Sequence, residues 1–119
     1  MAEKKTVRDI EVSGKRVLVR VDFNVPFKPG TDEISNSNRI VASLPTIRYL
    51  LGRGASVVLC SHLGRPGGRS IKELSLRPIR GRLAQYLDMR VSFSESTNFQ
   101  RIHQDVSRIT PGEVILLEN

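Results

Sequence analysis

Arg16-Val17-Leu18-Val19-Arg20-Val21-Asp22-Phe23-Asn24-Val25-Pro26 is the stretch that decides the fold. Val17, Val19, Val21 and Phe23 fall on one side of an extended chain, and Arg20, Asp22 and Asn24 on the other, because successive strand side chains point to opposite faces. A strand that ends in a polar tip is the reading. Ser56-Val57-Val58-Leu59-Cys60-Ser61 is different in kind: a nearly unbroken, β-branched apolar run, as in a central strand covered on both faces. Two such strands with a helical stretch between them make a β-α-β unit.

The intervening stretch carries Ser35, Asn36, Ser37 and Asn38 as candidate N-caps and a stripe of Ile40, Val41, Leu44, Ile47 and Leu51 at helical spacing. It predicts a helix to about Gly52, kinked at Pro45 because an interior proline removes a backbone hydrogen bond. Gly54 closes the helix. Beyond a glycine-rich loop over residues 62–68, a second helix is expected over 75–88, with Ser75 as N-cap, Pro78 in the first turn, and Leu76, Ile79, Leu83 and Leu87 facing inward. A strand over 90–93, a helix over 99–109, a turn at Thr110-Pro111-Gly112 and a strand over 114–117 complete the pattern β-α-β-α-β-α-β. Such alternation predicts an α/β fold: a Rossmann-like parallel sheet with helices on its faces, here an incomplete three-layer domain. Ligands of such sheets lie beyond the carboxyl ends of the strands, which points to residues 22–26, 62–66 and 118–119.

The chain has 119 residues, enough for one modest core, with 39% hydrophobic and 26% charged residues. It has no apolar run near the roughly 20 residues of a membrane span and no apolar segment behind its first charges, so a soluble, cytoplasmic protein without a membrane partner is expected. A single cysteine, Cys60, excludes an internal disulfide and reads as a buried free thiol. The net charge of +7 comes mainly from 14 arginines, whose planar forks suit phosphate and carboxylate oxygens, so an anionic partner is expected. The basic residues are scattered and match no nucleic-acid-binding signature, which argues against nucleic acid.

Three places can carry chemistry. Arg20, Asp22 and Asn24 alternate, and together suit either a small polyhydroxy acid or a plain solvent-facing strand. Ser61-His62-Leu63-Gly64-Arg65-Pro66 puts an imidazole, a glycine that allows close backbone approach and a guanidinium in one strand-end loop, suited to phosphate or to a simple connection. Arg39 sits in the first turn of its helix, where a cation opposes the helix dipole by roughly 0.3–1 kcal/mol, so an anion nearby would explain it. His103 has no cysteine or second histidine at ligand spacing, and no metal site is expected. Glycines 64, 67 and 68 form neither common nucleotide-binding pattern.

Taken in order, Val19-Arg20-Val21-Asp22-Phe23-Asn24-Val25-Pro26, Arg39-Ile40 ahead of Leu44-Pro45-Thr46-Ile47, Ser61-His62-Leu63-Gly64-Arg65-Pro66 and Leu116-Leu117-Glu118-Asn119 resemble phosphoglycerate kinase block by block over essentially the whole chain. Two stretches depart: Asn36-Ser37-Asn38 stands where an acidic or threonine-containing turn is expected, and 94–109 matches loosely. The resemblance implies reversible phosphoryl transfer in glycolysis, from 1,3-bisphosphoglycerate to ADP, giving 3-phosphoglycerate and ATP. It implies two lobes, of which residues 1–119 would be part of the amino-terminal, phosphoglycerate-binding one. The nucleotide-binding lobe, with ATP or ADP and its Mg2+, would lie outside this segment. Asp22, Phe23 and Asn24 would then bind the glycerate part with support from Arg20, and His62, Leu63, Gly64 and Arg65 would face the 3-phosphate. Arg39 would both bind substrate and act as the catalytic arginine. The complete enzyme is expected as a monomer, and the segment alone as inactive and prone to self-association. A basic nucleic-acid binder and a non-catalytic α/β anion-binding module are the alternatives.

Overall fold

A computed structural model of the chain describes residues 6–31, 33–63, 75–96 and 98–118. Four strands, β1 (Arg16–Arg20), β2 (Ser56–Cys60), β3 (Val91–Ser94) and β4 (Val114–Leu117), alternate with three helices, α1 (Asn38–Gly52), α2 (Arg77–Leu87) and α3 (Phe99–Ser107). All strand pairs are parallel and the sheet order is β1-β2-β4-β3. The expected α/β sheet is therefore formed, and the apolar β2 and β4 occupy its centre. Chain order and sheet order differ because the β2-to-β3 connection passes over the place that β4 fills.

One face of the sheet and the two helices on it hold the core. Val57, Leu59, Val91, Val114 and Leu116 are buried from the sheet, Ile40, Leu44, Ile47 and Leu50 from α1, and Ile79 and Leu83 from α2. The expected stripe on α1 is displaced: Val41 is exposed, Leu51 is half-buried, and Leu50 is buried instead. α1 runs on through Pro45, which lies on its exposed side with Val41. The carbonyl that loses its partner belongs to a residue on the water side, where solvent can satisfy it. The opposite face of the sheet meets α3 across a cavity of about 240 Å³ lined by Leu18, Val58, Ile102, Val106 and Leu117.

The helix ends explain how the chain reverses. After α1, Gly54 N–H donates to the Leu51 carbonyl and Ala55 N–H to the Leu50 carbonyl, each at 3.1 Å, with Gly54 at φ +82°. This is the Schellman arrangement, in which glycine takes the left-handed position. α2 ends the same way with Asp88 at φ 51°. It is shorter than expected at both ends, starting after Leu76, and α3 stops at Ser107.

Thr110-Pro111-Gly112 forms the expected turn into β4. Glu113 N–H donates to the Thr110 carbonyl at 3.0 Å, and Gly112 has φ +90°, as its place after a proline in a type II turn requires. Thr110 closes the turn from its other side, donating its hydroxyl (2.7 Å) and its N–H (2.6 Å) to the Glu113 carboxylate. These bonds hold the carboxyl below its ordinary value of 4.5. Because the folded-state value is depressed, the stabilisation is present above the unfolded value and is lost as pH falls through the folded one. The Glu113 carboxyl should titrate by NMR below 4.5, and Thr110→Val should move its midpoint upward; an unmoved midpoint would show that the turn is held by its backbone alone.

Candidate functional site at the carboxyl edge of the sheet

The β1–β2 ladder continues one bond beyond β1, with Val21 N–H on the Cys60 carbonyl at 2.9 Å, and then stops. From Asp22 the chain turns. The Asp22 carboxylate accepts from Asn24 N–H at 3.1 Å, and Val25 N–H donates to the Phe23 carbonyl at 2.8 Å. Burial still alternates through this turn, with Arg20 and Asp22 exposed and Asn24 half-buried while Phe23 and Val25 are buried, although aspartate's short side chain competes for the backbone and ends the ladder. The turn ties Asp22 to the backbone of Asn24. It also aims Phe23 and Val25 inward, where their side chains are buried.

Arg39 reaches this turn from the first turn of α1. Its Nη1 donates to the Asn24 carbonyl at 2.6 Å and lies 3.3 Å from Asp22 Oδ1. The anion that the helix position calls for is thus Asp22. Both side chains are more than half exposed, at 53% and 61%, so the pair is worth at most about 1 kcal/mol. Arg20 and Asp22 border a cleft of about 370 Å³ against Ala42, Ser43 and Thr46 of α1. The candidate N-cap Ser37 makes no cap bond, since its hydroxyl is paired at 2.7 Å with that of Tyr86 on α2. Hydrogen bonds from Ser37 and Arg82 lower the Tyr86 phenol from its ordinary value of 10.0. Arg48 of α1 adds a second tie, to the Tyr86 carbonyl at 2.9 Å.

The loop after β2 begins at the same edge. Ser61 Oγ accepts from Phe23 N–H at 2.9 Å and donates to the His62 carbonyl at 3.0 Å, so the two loops touch. His62 is exposed, and the side chain of Leu63 is buried. Phe23 and Leu63 can accordingly offer a ligand only their backbone. Gly64 and Arg65 lie outside the described residues. Cys60, free and half-buried rather than fully buried, has its thiol 3.9 Å from the Val19 carbonyl. Among the described residues no three of His, Cys, Asp and Glu come together to hold a metal, and no helix is long and apolar enough to cross a membrane.

The third strand end behaves differently from its sequence reading. Glu118, at the tip of β4, turns its carboxylate onto the start of α2: Oε1 accepts from Leu76 N–H at 2.9 Å and Oε2 from the Ser75 hydroxyl at 2.7 Å. Ser75 Oγ in turn accepts from Arg77 N–H at 3.2 Å. Ser75 does act at the helix start, as one member of a relay whose charge comes from 42 residues away in the chain. A carboxylate there also favours the positive end of the helix dipole. Local sequence holds no signal for this contact.

An open parallel sheet with Arg39, Asp22 and the loop carrying Asn24 drawn together beyond the end of β1, next to the start of the His62 loop, defines an α/β domain whose polar residues collect at the carboxyl ends of its strands. Comparison with known proteins is more specific. The phosphoglycerate kinase family model matches residues 7–119, and the chain belongs to that family. A phosphoglycerate kinase of Clostridium botulinum is 47% identical over 118 residues, and one of Thermosipho africanus 49% identical over 117; each alignment takes in 98% of this chain and 29% of the relative. The crystal structure of phosphoglycerate kinase from Pyrococcus horikoshii OT3 superposes with a TM-score of 0.83 at 34% identity, covering 95% of this chain and 27% of that one. That from Coxiella burnetii gives 0.79 at 36% identity with the same coverage. The chain thus spans a little under a third of the length of these relatives.

Removing the Glu118 carboxylate strands Leu76 N–H and the Ser75 hydroxyl in partly buried positions, so Glu118→Ala should cost about 1–3 kcal/mol in urea unfolding. Glu118→Gln, whose amide still offers an acceptor, should recover much of the loss; equal losses for the two would assign the effect to packing.

Proposed function

We propose that the chain supplies the phosphoglycerate half of a phosphoglycerate kinase site, and that the reaction is reversible phosphoryl transfer between 1,3-bisphosphoglycerate and ADP. The observation that carries this reading is the junction of Arg39, Asp22 and Asn24 beside the Ser61 link to His62, in a chain matched to that family over residues 7–119. Asp22 and Asn24 receive the hydroxyl and carboxyl end of the glycerate, with Arg20 beside Asp22 and the backbone of Phe23 between them. His62, the backbone of Leu63 and Gly64, and Arg65 receive the 3-phosphate. Residues 1–119 form part of the amino-terminal domain. ATP or ADP, with Mg2+, binds to the carboxyl-terminal domain of the whole enzyme, which works as a monomer in the cytoplasm.

The chemistry asks little covalent help of the protein. An oxygen of the ADP β-phosphate attacks the phosphorus of the acyl phosphate, the P–O bond to the carboxyl carbon breaks, and the carboxylate of 3-phosphoglycerate leaves with the bonding pair. Charge spreads over the three oxygens of the phosphoryl group in flight, and fixed countercharge lowers the barrier. Arg39 is suited to this because it projects from a helix end and can exchange Asp22 for the moving group. The two substrates must also be brought into line in a closed site. With only its phosphoglycerate half, the chain alone is inactive. Exposed Leu18 (66%) and Phe99 (82%) on the outer side of the sheet support self-association of the chain by itself.

Titration of the labelled chain with 3-phosphoglycerate should shift the amide signals of Phe23, Asn24 and His62, and Arg65→Ala should weaken binding by roughly 1.5–3 kcal/mol. Shifts elsewhere, or none, would sink the site. In a two-lobed enzyme carrying these residues, Arg39→Ala should lower kcat about a hundredfold or more with a much smaller rise in KM; loss of affinity alone would make Arg39 a binding residue. A coupled assay should find no ATP formation by the 119-residue chain alone and activity on mixing with the separately expressed remainder of the two-lobed enzyme.

A further inference from the structure

The place where the β1–β2 ladder stops holds an unusual rung. Parallel strands exchange hydrogen bonds at intervals of two residues. Val21 N–H on the Cys60 carbonyl is one such bond, at 2.9 Å. The next donor and acceptor in that series are Phe23 N–H and the His62 carbonyl. They do not meet. The Ser61 hydroxyl stands between them, accepting from Phe23 N–H at 2.9 Å and donating to the His62 carbonyl at 3.0 Å. A hydroxyl has one proton to give and lone pairs to receive with, so it can fill both roles at once. The ladder is extended by one rung that is wider by a single oxygen atom.

We infer that Ser61 is a positioning residue which, through this bridged rung, sets the gap between the Asp22–Asn24 turn and His62. The residues on either side of Phe23 N–H are Asp22 and Asn24, and the carbonyl at the other end of the bridge belongs to His62. Phe23 cannot drift, because its side chain is fully buried. A direct bond would pull the two strand ends together; no bond would leave a partly buried N–H unsatisfied and release the turn. The bridge does neither. It parts the strands just enough for the glycerate end and the phosphate end of one small molecule to fall on different loops. This deepens the proposed function and rests on it for the identity of that molecule.

Two measurements on the 119-residue chain test the inference. In the ligand-free chain, amide exchange at Phe23 should be slow in the wild type and in Ser61→Thr, which keeps the hydroxyl, and at least tenfold faster in Ser61→Ala. Fast exchange in the wild type, or no change in Ser61→Ala, overturns the bridge whatever the ligand is. The second measurement compares 3-phosphoglycerate, which spans both loops, with inorganic phosphate, which occupies one. Ser61→Ala should weaken 3-phosphoglycerate about tenfold while changing phosphate by less than about twofold, and Ser61→Thr should restore the difference. Equal weakening of both anions overturns the role in spacing and leaves Ser61 a stabiliser of the loop. A wild-type chain that binds neither anion but protects Phe23 N–H refutes the functional reading and keeps the bridge.

Discussion

The carboxyl edge of this protein depends on where the parallel pairing of β1 with β2 ends. Up to Val21 the two strands are tied by backbone bonds and their residues run in fixed register, Arg16 with Ser56 to Arg20 with Cys60. Had the pairing continued, residues 22 to 24 would have remained in the ladder, with no turn for the Asp22 carboxylate to close. Because it stops, the Asp22 side chain folds back onto Asn24 N–H, Phe23 and Val25 drop into the core, and the Asn24 carbonyl is presented to Arg39. Those arrangements all follow from one interrupted ladder.

The interruption is affordable since both ends are held elsewhere. β2 is anchored on its other side by β4, whose central residues are buried. β4 in turn sends Glu118 to the start of α2, the helix that follows the loop after β2. On the far side of the turn, α1 is locked to α2 through Ser37, Arg48 and Tyr86. The site therefore stands on a frame closed by side chains from distant parts of the chain.

Sequence made the frame legible and hid much of what closes it. The alternation in 16–21, the apolar run of β2 and the boundaries of β4 were readable because each depends on side-chain periodicity, a local property. The position of α1 was readable for the same reason, although its buried stripe rotates to Leu50, as the sheet beneath it dictates. Asp22, Asn24 and Arg39 could be picked out, and the side of the chain taken by the first two follows from alternation, but the bond from Asn24 N–H to the Asp22 carboxylate and the reach of Arg39 to the Asn24 carbonyl could not be read from it. The contacts of Glu118 with the start of α2, of Ser61 with Phe23 and of Ser37 with Tyr86 escaped notice because the partners lie 38 to 49 residues away. Only the folded chain brings such atoms together.

The Asp22–Arg39 pair carries a consequence of its own. A long side chain that waves freely in water must be stilled before it can act, and that ordering subtracts from whatever it binds. Here the carboxylate and the Asn24 carbonyl already hold the guanidinium extended over the strand ends, in a contact too exposed to be strong. Asp22 fixes the arginine's direction without binding it tightly. The guanidinium is therefore ordered in advance, at a contact weak enough to be exchanged at little cost.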